Sequence, residues 1–202
     1  MTDERVFLAG GQLALRWLCQ PQIWSVMDGS LLLDAAGGTN WFVDPAGVRL
    51  PVIEAPALVS SPDGDYQLSA RVEAALGSPY DAGALVLWAG EGLWAKLCFE
   101  LSPQREPMVV SVVTRGSSDD ANAFVVPGDH VWLRVSRFGS AFAFHASLDG
   151  DRWLMVRYFA LDRSADVAVG FQAQSPTGKG CTVTFSDIRY TPTTLTDLRG
   201  GP

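Results

Sequence analysis

The segment Leu93-Trp94-Ala95-Lys96-Leu97-Cys98-Phe99-Glu100-Leu101 alternates apolar residues with an aromatic ring, a cation, a thiol and a carboxylate. Successive side chains of an extended chain point to opposite faces, so Leu93, Ala95, Leu97, Phe99 and Leu101 face a core. Trp94, Lys96, Cys98 and Glu100 then share the other face. Lys96 and Glu100 stand roughly 13 Å apart along such a strand, too far for close pairing, and each calls for a partner on a neighbouring strand or in a ligand. Glu100 is the candidate catalytic residue, a general acid or base tuned across the sheet by Lys96 or Arg157. The plain alternative is a solvated outer face carrying cross-strand ion pairs.

Other segments supply similar material. Trp88 follows Gly83-Ala84-Leu85-Val86-Leu87, Arg115 ends a valine-rich run, Arg157 follows Trp153, and Gln172 and Gln174 alternate with core-type Phe171 and Ala173. One sheet lined by Trp, Arg, Gln and Glu has the chemistry of sugar recognition, because rings stack on apolar CH faces and planar polar groups pair with hydroxyls. Trp88, Trp94, Lys96, Arg115, Arg157 and Gln172 are the candidate ligand-binding residues on this ground. Hydrolysis of a glycosidic bond would need two carboxyl groups about 5–9.5 Å apart, for which Asp119 is the second candidate beside Glu100. His130 and His145 lie in different strands with no Gly-x-Ser-x-Gly elbow. Metal is not expected, since no His-Glu-x-x-His or EF-hand loop is present and Ser117-Ser118-Asp119-Asp120 and Asp149-Gly150-Asp151 read as turns. No Gly-rich phosphate loop occurs, and no cofactor is expected.

The elements that must position these residues are strands. Tyr66 to Glu73 alternates Tyr66, Leu68, Ala70 and Val72 with polar residues, and Ala141 to Leu148 does the same with Phe142, Phe144, Ala146 and Leu148. A tight hairpin at Asp149-Gly150 leads into Arg152 to Phe159. Further strands are predicted at 30–35, 83–88, 93–101, 107–115, 130–138, 166–174 and 182–190. About ten strands joined by short turns predict an all-β, two-sheet antiparallel sandwich. Its 202 residues, 48% of them hydrophobic, suffice for a single domain over 1–202. The core is placed at about 13–190, with the first dozen residues and the tail from Thr191 as flexible appendages.

A net charge of −7 with no basic run argues against nucleic acid. No segment has the roughly 20 apolar residues that span a bilayer, and the N-terminus lacks the pattern of a secretory signal. Cys19, Cys98 and Cys181 are odd in number and lack Cys-x-x-Cys spacing, so a reducing, cytoplasmic setting is expected.

The chain resembles, from about Trp17 to Ile188, a family of uncharacterised concanavalin A-like lectin/glucanase-superfamily proteins labelled as regulators of enolase expression. The landmarks are Trp17, Pro21 and Trp24, Thr39-Asn40-Trp41-Phe42, Tyr80-Asp81-Ala82-Gly83, and Trp94-Ala95-Lys96 with Glu100. They continue with Ser111-Val112-Val113-Thr114, Ser118-Asp119, Asp149-Gly150, Trp153, Arg157, Val169-Gly170, Ser175-Pro176 and Phe185. The resemblance implies a jelly roll with a concave sheet and a site around Trp94, Lys96, Glu100, Ser118, Asp119 and Arg157, without implying an agreed reaction. Asn40 stands where the family has an acidic residue and Asp120 where it has an aromatic one, which alters the selectivity expected near both loops. The Glu-x-Asp-x-Glu strand of the related β-glucanases is absent.

The leading expectation is a non-catalytic carbohydrate-binding domain, with Trp94 and Trp88 stacking and Lys96, Glu100, Arg157 and Gln172 hydrogen-bonding a saccharide in a groove. The alternatives are an enzyme on a sugar or small polar metabolite using Glu100, or an interaction domain whose aromatic face joins a homodimer.

Overall fold

The structure is a computed structural model that describes residues 5–162 and 166–200. Along the chain run β1 (Val6–Leu8), β2 (Leu13–Cys19), β3 (Trp24–Met27), β4 (Ser30–Ala36), β5 (Asn40–Phe42) and β6 (Val52–Glu54). Then come β7 (Ala57–Ser60), β8 (Tyr66–Ala74), β9 (Ala82–Trp88), β10 (Leu93–Leu101), β11 (Pro107–Arg115) and β12 (Ser117–Val125). The last are β13 (His130–Phe138), β14 (Ala141–Ser147), β15 (Leu154–Ala160), β16 (Ala168–Gln174) and β17 (Gly180–Thr191). An eight-stranded sheet has the order β1-β2-β7-β16-β9-β10-β11-β12, a seven-stranded sheet the order β15-β14-β13-β8-β17-β4-β3, and β5 and β6 pair apart from both. Every pairing in the two large sheets is antiparallel.

Alternation builds the core. Leu85, Leu97, Phe99 and Phe171 from the larger sheet meet Leu68, Val72, Val131, Phe144 and Phe185 from the smaller one, and the Phe171 and Phe185 rings cross the gap edge to face at 5.1 Å. The sheets close in at Gly83, where a Cβ would overlap the side chains of Val183 and Val72. The result is a two-sheet antiparallel sandwich, as the alternation predicts, of the jelly-roll type that the resemblance implies.

Two expectations about the ends are corrected. Val6 and Leu8 are buried in the main core, because β1 pairs with β2 at the sheet edge and turns its apolar positions inward. Beyond β17, Leu195 is buried as well. Residues 1–4 and 201–202 of those two segments lie outside the described residues. A third correction concerns Ser117-Ser118-Asp119-Asp120, which begins the edge strand β12 instead of forming a turn; the turn is the residue before it, Gly116, at φ +79. No helix among the described residues is long and apolar enough to cross a membrane.

Candidate functional site

On the outer face of the eight-stranded sheet, the register aligns Gly170, Val86, Lys96, Val112 and Asp120 in one row. Gln174, Ala82, Glu100 and Met108 form another. A solvated face would leave these side chains wet, yet Lys96 is 2% and Glu100 9% exposed. The cover is the β5–β6 hairpin, which crosses this face as a flap.

The flap is held by packing in the middle and hydrogen bonds at its flanks. Trp41 of β5 is buried with its ring 4.8 Å from that of Trp88 and 5.8 Å from that of Trp94. Trp94, wholly buried, donates its indole N–H to the Glu91 carbonyl. Next to the ring cluster, Val43 N–H donates to Ser118 Oγ and Ser118 N–H to the Val43 carbonyl; Ser118 Oγ also lies 2.9 Å from Thr114 Oγ1. On the other flank Gly38 N–H donates to the Ser175 carbonyl, and Ser175 N–H to Thr39 Oγ1. Asp44 shapes the hairpin loop by accepting from the amides of Ala46, Val48 and Arg49.

Between flap and sheet lies a pocket of about 400 Å³. Its floor is Lys96, Glu100, Val112 and Asp120, and the flap contributes Gly38, Asn40, Phe42, Arg49, Leu50 and Val52. Tyr80, Gln174, Pro176 and Thr177 complete the rim. Asp81 organises that rim: one oxygen accepts from the Gly77 and Ser78 amides and the other from Ser175 Oγ, while Thr177 Oγ1 donates to the Pro79 carbonyl. Tyr80 holds a left-handed φ of +71, a strained conformation for a bulky residue. Its carbonyl accepts from Gln174 Nε2 at 3.0 Å. Gln174 Oε1 is thereby turned to accept from Lys96 Nζ at 2.8 Å and from Gln172 Nε2 at 3.2 Å. On the intervening β9, Ala82 and Ala84 are too short to separate the Lys96 and Gln174 side chains.

The pocket therefore contains a cation held by a neutral amide, and among the described residues no carboxylate lies within 4 Å of Lys96 to form an ion pair. Burial pushes the Glu100 carboxyl up to about 7, against the pull of Lys96 and with the push of Asp120. Asp120, exposed at the open side of the pocket, is raised too, by partial loss of solvation and again against Lys96. The Asn40 side-chain oxygen, buried in the pocket wall, has no hydrogen-bond partner. Unspent donors and acceptors in a partly apolar hollow are what a polar small molecule requires.

Of the candidate residues, Lys96 and Glu100 come together here. Trp88, Trp94 and Ser118 lie apart from the pocket wall and anchor the flap, so the expected stacking by the two tryptophans is corrected to a packing role. Gln172 is buried and reaches the site only through Gln174. Arg157 pairs with Asp119 at 3.3 Å across the exposed sheet edges, and Arg115 donates to the Ala160 carbonyl; none of the three lines the pocket. Asp120, one position from Asp119, is the carboxylate that does, because alternation along β12 turns Asp119 the other way. Tyr80, Phe42, Asn40 and Gln174 were recognisable only as landmarks or neighbours. Asp149-Gly150-Asp151 is the expected turn, in which Asp149 accepts from the amides of Asp151 and Arg152, and no cluster of three metal-ligating side chains occurs among the described residues.

A family described as "Protein of unknown function (DUF1349)" matches residues 17–193. Among solved structures, a functionally unknown protein from Saccharomyces cerevisiae is similar at 26% identity and a TM-score of 0.80, covering 88% of this chain and 95% of that one. The GH43 protein BlXynB of Bacillus licheniformis matches at 14% identity and a TM-score of 0.67 over 89% of this chain. Only 37% of its own length is covered. The carbohydrate-binding module CBM66 of Bacillus subtilis matches at 14% identity and a TM-score of 0.52, over 86% of this chain and 94% of that one. The last two likenesses are of fold. No curated protein matches the chain.

Proposed function

The chain belongs to the DUF1349 family, and we propose that it is a carbohydrate-binding-like protein holding a small saccharide, or the end of a longer one, between β10 and the β5–β6 flap. The observation that carries this reading is the pocket itself. Lys96, Glu100, Asp120, Gln174 and Asn40 present donors and acceptors on several sides of one hollow, while Phe42 and Tyr80 offer ring surface to sugar CH groups. Support of a coarser kind comes from the sandwich shared with a carbohydrate-binding module and with part of a glycoside hydrolase. The free thiols of Cys19, Cys98 and Cys181 suit a cytoplasmic setting.

Glu100 favours one second reading. A carboxyl poised near neutrality beside another carboxylate, Asp120, is suited to moving a proton, so the pocket would also serve an enzyme acting on a sugar. Chromatography of saccharides incubated with wild type and Glu100→Gln separates the two. In the binding reading neither protein forms product and the variant binds more weakly. In the enzymatic reading wild type alone forms product and the variant keeps its affinity. Normal turnover by Glu100→Gln would exclude that carboxyl as the catalyst.

A further inference from the structure

The outer face of the seven-stranded sheet encloses a second polar cluster, unrelated to the pocket. On β13, Arg134 and Ser136 alternate with the core residues Leu133 and Val135, and the register sets His145 of β14 opposite Arg134. The chain beyond β17 straps this face: Thr194 Oγ1 donates to Asp65, Leu195 is buried, and His145 Nε2 lies 2.8 Å from the Leu198 carbonyl. The Trp153 ring sits 4.3 Å from the Arg134 guanidinium, which leaves Arg134 6% exposed.

Burial holds Arg134 down to about 10. Its Nε and Nη2, the hydroxyl of Ser136 and Nδ1 of His145 are all buried without a hydrogen-bond partner. A buried, uncompensated cation is strongly unfavourable unless something neutralises it. Nε–H and Nη2–H project side by side from one edge of a guanidinium and match two oxygens of an oxyanion. The Leu198 carbonyl can only accept, so Nε2 of His145 carries the proton, and burial keeps the ring neutral. Nδ1 is then a bare acceptor that favours an oxyanion bearing its own hydroxyl. Asp197, whose charge reaches His145, accepts from the Arg199 and Gly200 amides.

We propose that this cluster is a phosphate site, closed in the structure described and reached when the Trp153 ring swings off Arg134, in which hydrogenphosphate or a phosphomonoester lies on the Nε/Nη2 edge of Arg134, accepts from Ser136 and donates its hydroxyl to His145 Nδ1 beside the 194–198 strap. Thermal unfolding in inorganic phosphate, glucose 1-phosphate or sulfate tests it, with Arg134→Met and Ser136→Ala beside wild type. Phosphate and sulfate both stabilise proteins generally, so the readout is the difference between proteins. Wild type is expected to gain about 5 °C more than either variant at a hundredfold excess over Kd, and more from phosphate than from sulfate. A larger gain from the ester identifies that as the ligand form. Equal gains in wild type and variants, or equal gains from sulfate and phosphate, would overturn the proposal.

Discussion

Glu100 sits where its charge is unwelcome, and that fixes a pH dependence. Its ordinary value of 4.5 rises to about 7 in the folded chain, so between those values the folded state binds more protons than the unfolded one. Stability then falls as pH rises through that window, and above pH 7 the ionised carboxylate costs on the order of 3 kcal/mol. Glu100→Gln mimics the protonated form. The variant is expected to match wild type near pH 4 and to exceed it at pH 8, as read from denaturant midpoints at the two pH values. A difference independent of pH would mean that Glu100 ionises as an exposed carboxyl does. The alternation of β10 exposed this residue and Lys96 in the sequence, since strict period-2 patterning needs no tertiary information. The choice between Asp119 and Asp120, or between Gln172 and Gln174, depended on which strands flank β10 and in what register, and a linear pattern carries neither.

At the scale of the element, the flap converts a sheet face into a pocket. Its strands are three residues each, too short for alternation to register, and its hold comes from one buried ring and a few backbone contacts with Ser118 and Ser175. Thr39-Asn40-Trp41-Phe42 stood out as a motif, but nothing local says that Trp41 packs against Trp88 and Trp94. The edge strand β12 was hidden for a related reason: its Ser, Asp and Asn content suits turns, while pairing with β11 and with Val43 makes it extended. Replacing a buried ring by Ala costs about 3–5 kcal/mol, here paid by the flap more than by the sandwich. Trp41→Ala is expected to speed hydrogen exchange at the Val43 and Ser118 amides by at least tenfold while leaving Leu85 and Phe171 protected. Uniform acceleration would show instead that flap and sandwich open together.

For the whole molecule, the sandwich was legible because its long strands alternate cleanly and its turns carry Gly, Asp and Pro. The strand order was not. β2 pairs with β7, β7 with β16 and β16 with β9, neighbours that no short turn connects along the chain. Tertiary packing likewise buries Val6, Leu8 and Leu195, which local sequence marks as parts of appendages. The two outer faces follow one scheme, in which a short segment from elsewhere in the chain covers polar residues that alternate with the core: β5–β6 on one sheet and the 194–198 strap on the other. If the first of these enclosures is a saccharide site, its polar floor must govern affinity. The most direct test is a calorimetric titration of mono- and oligosaccharides into wild type and Lys96→Met at pH 7. Saturable heat is expected for at least one saccharide with wild type, and at least tenfold weaker binding with the variant. Equal affinity in the two proteins, or no heat from any saccharide, would contradict the saccharide reading.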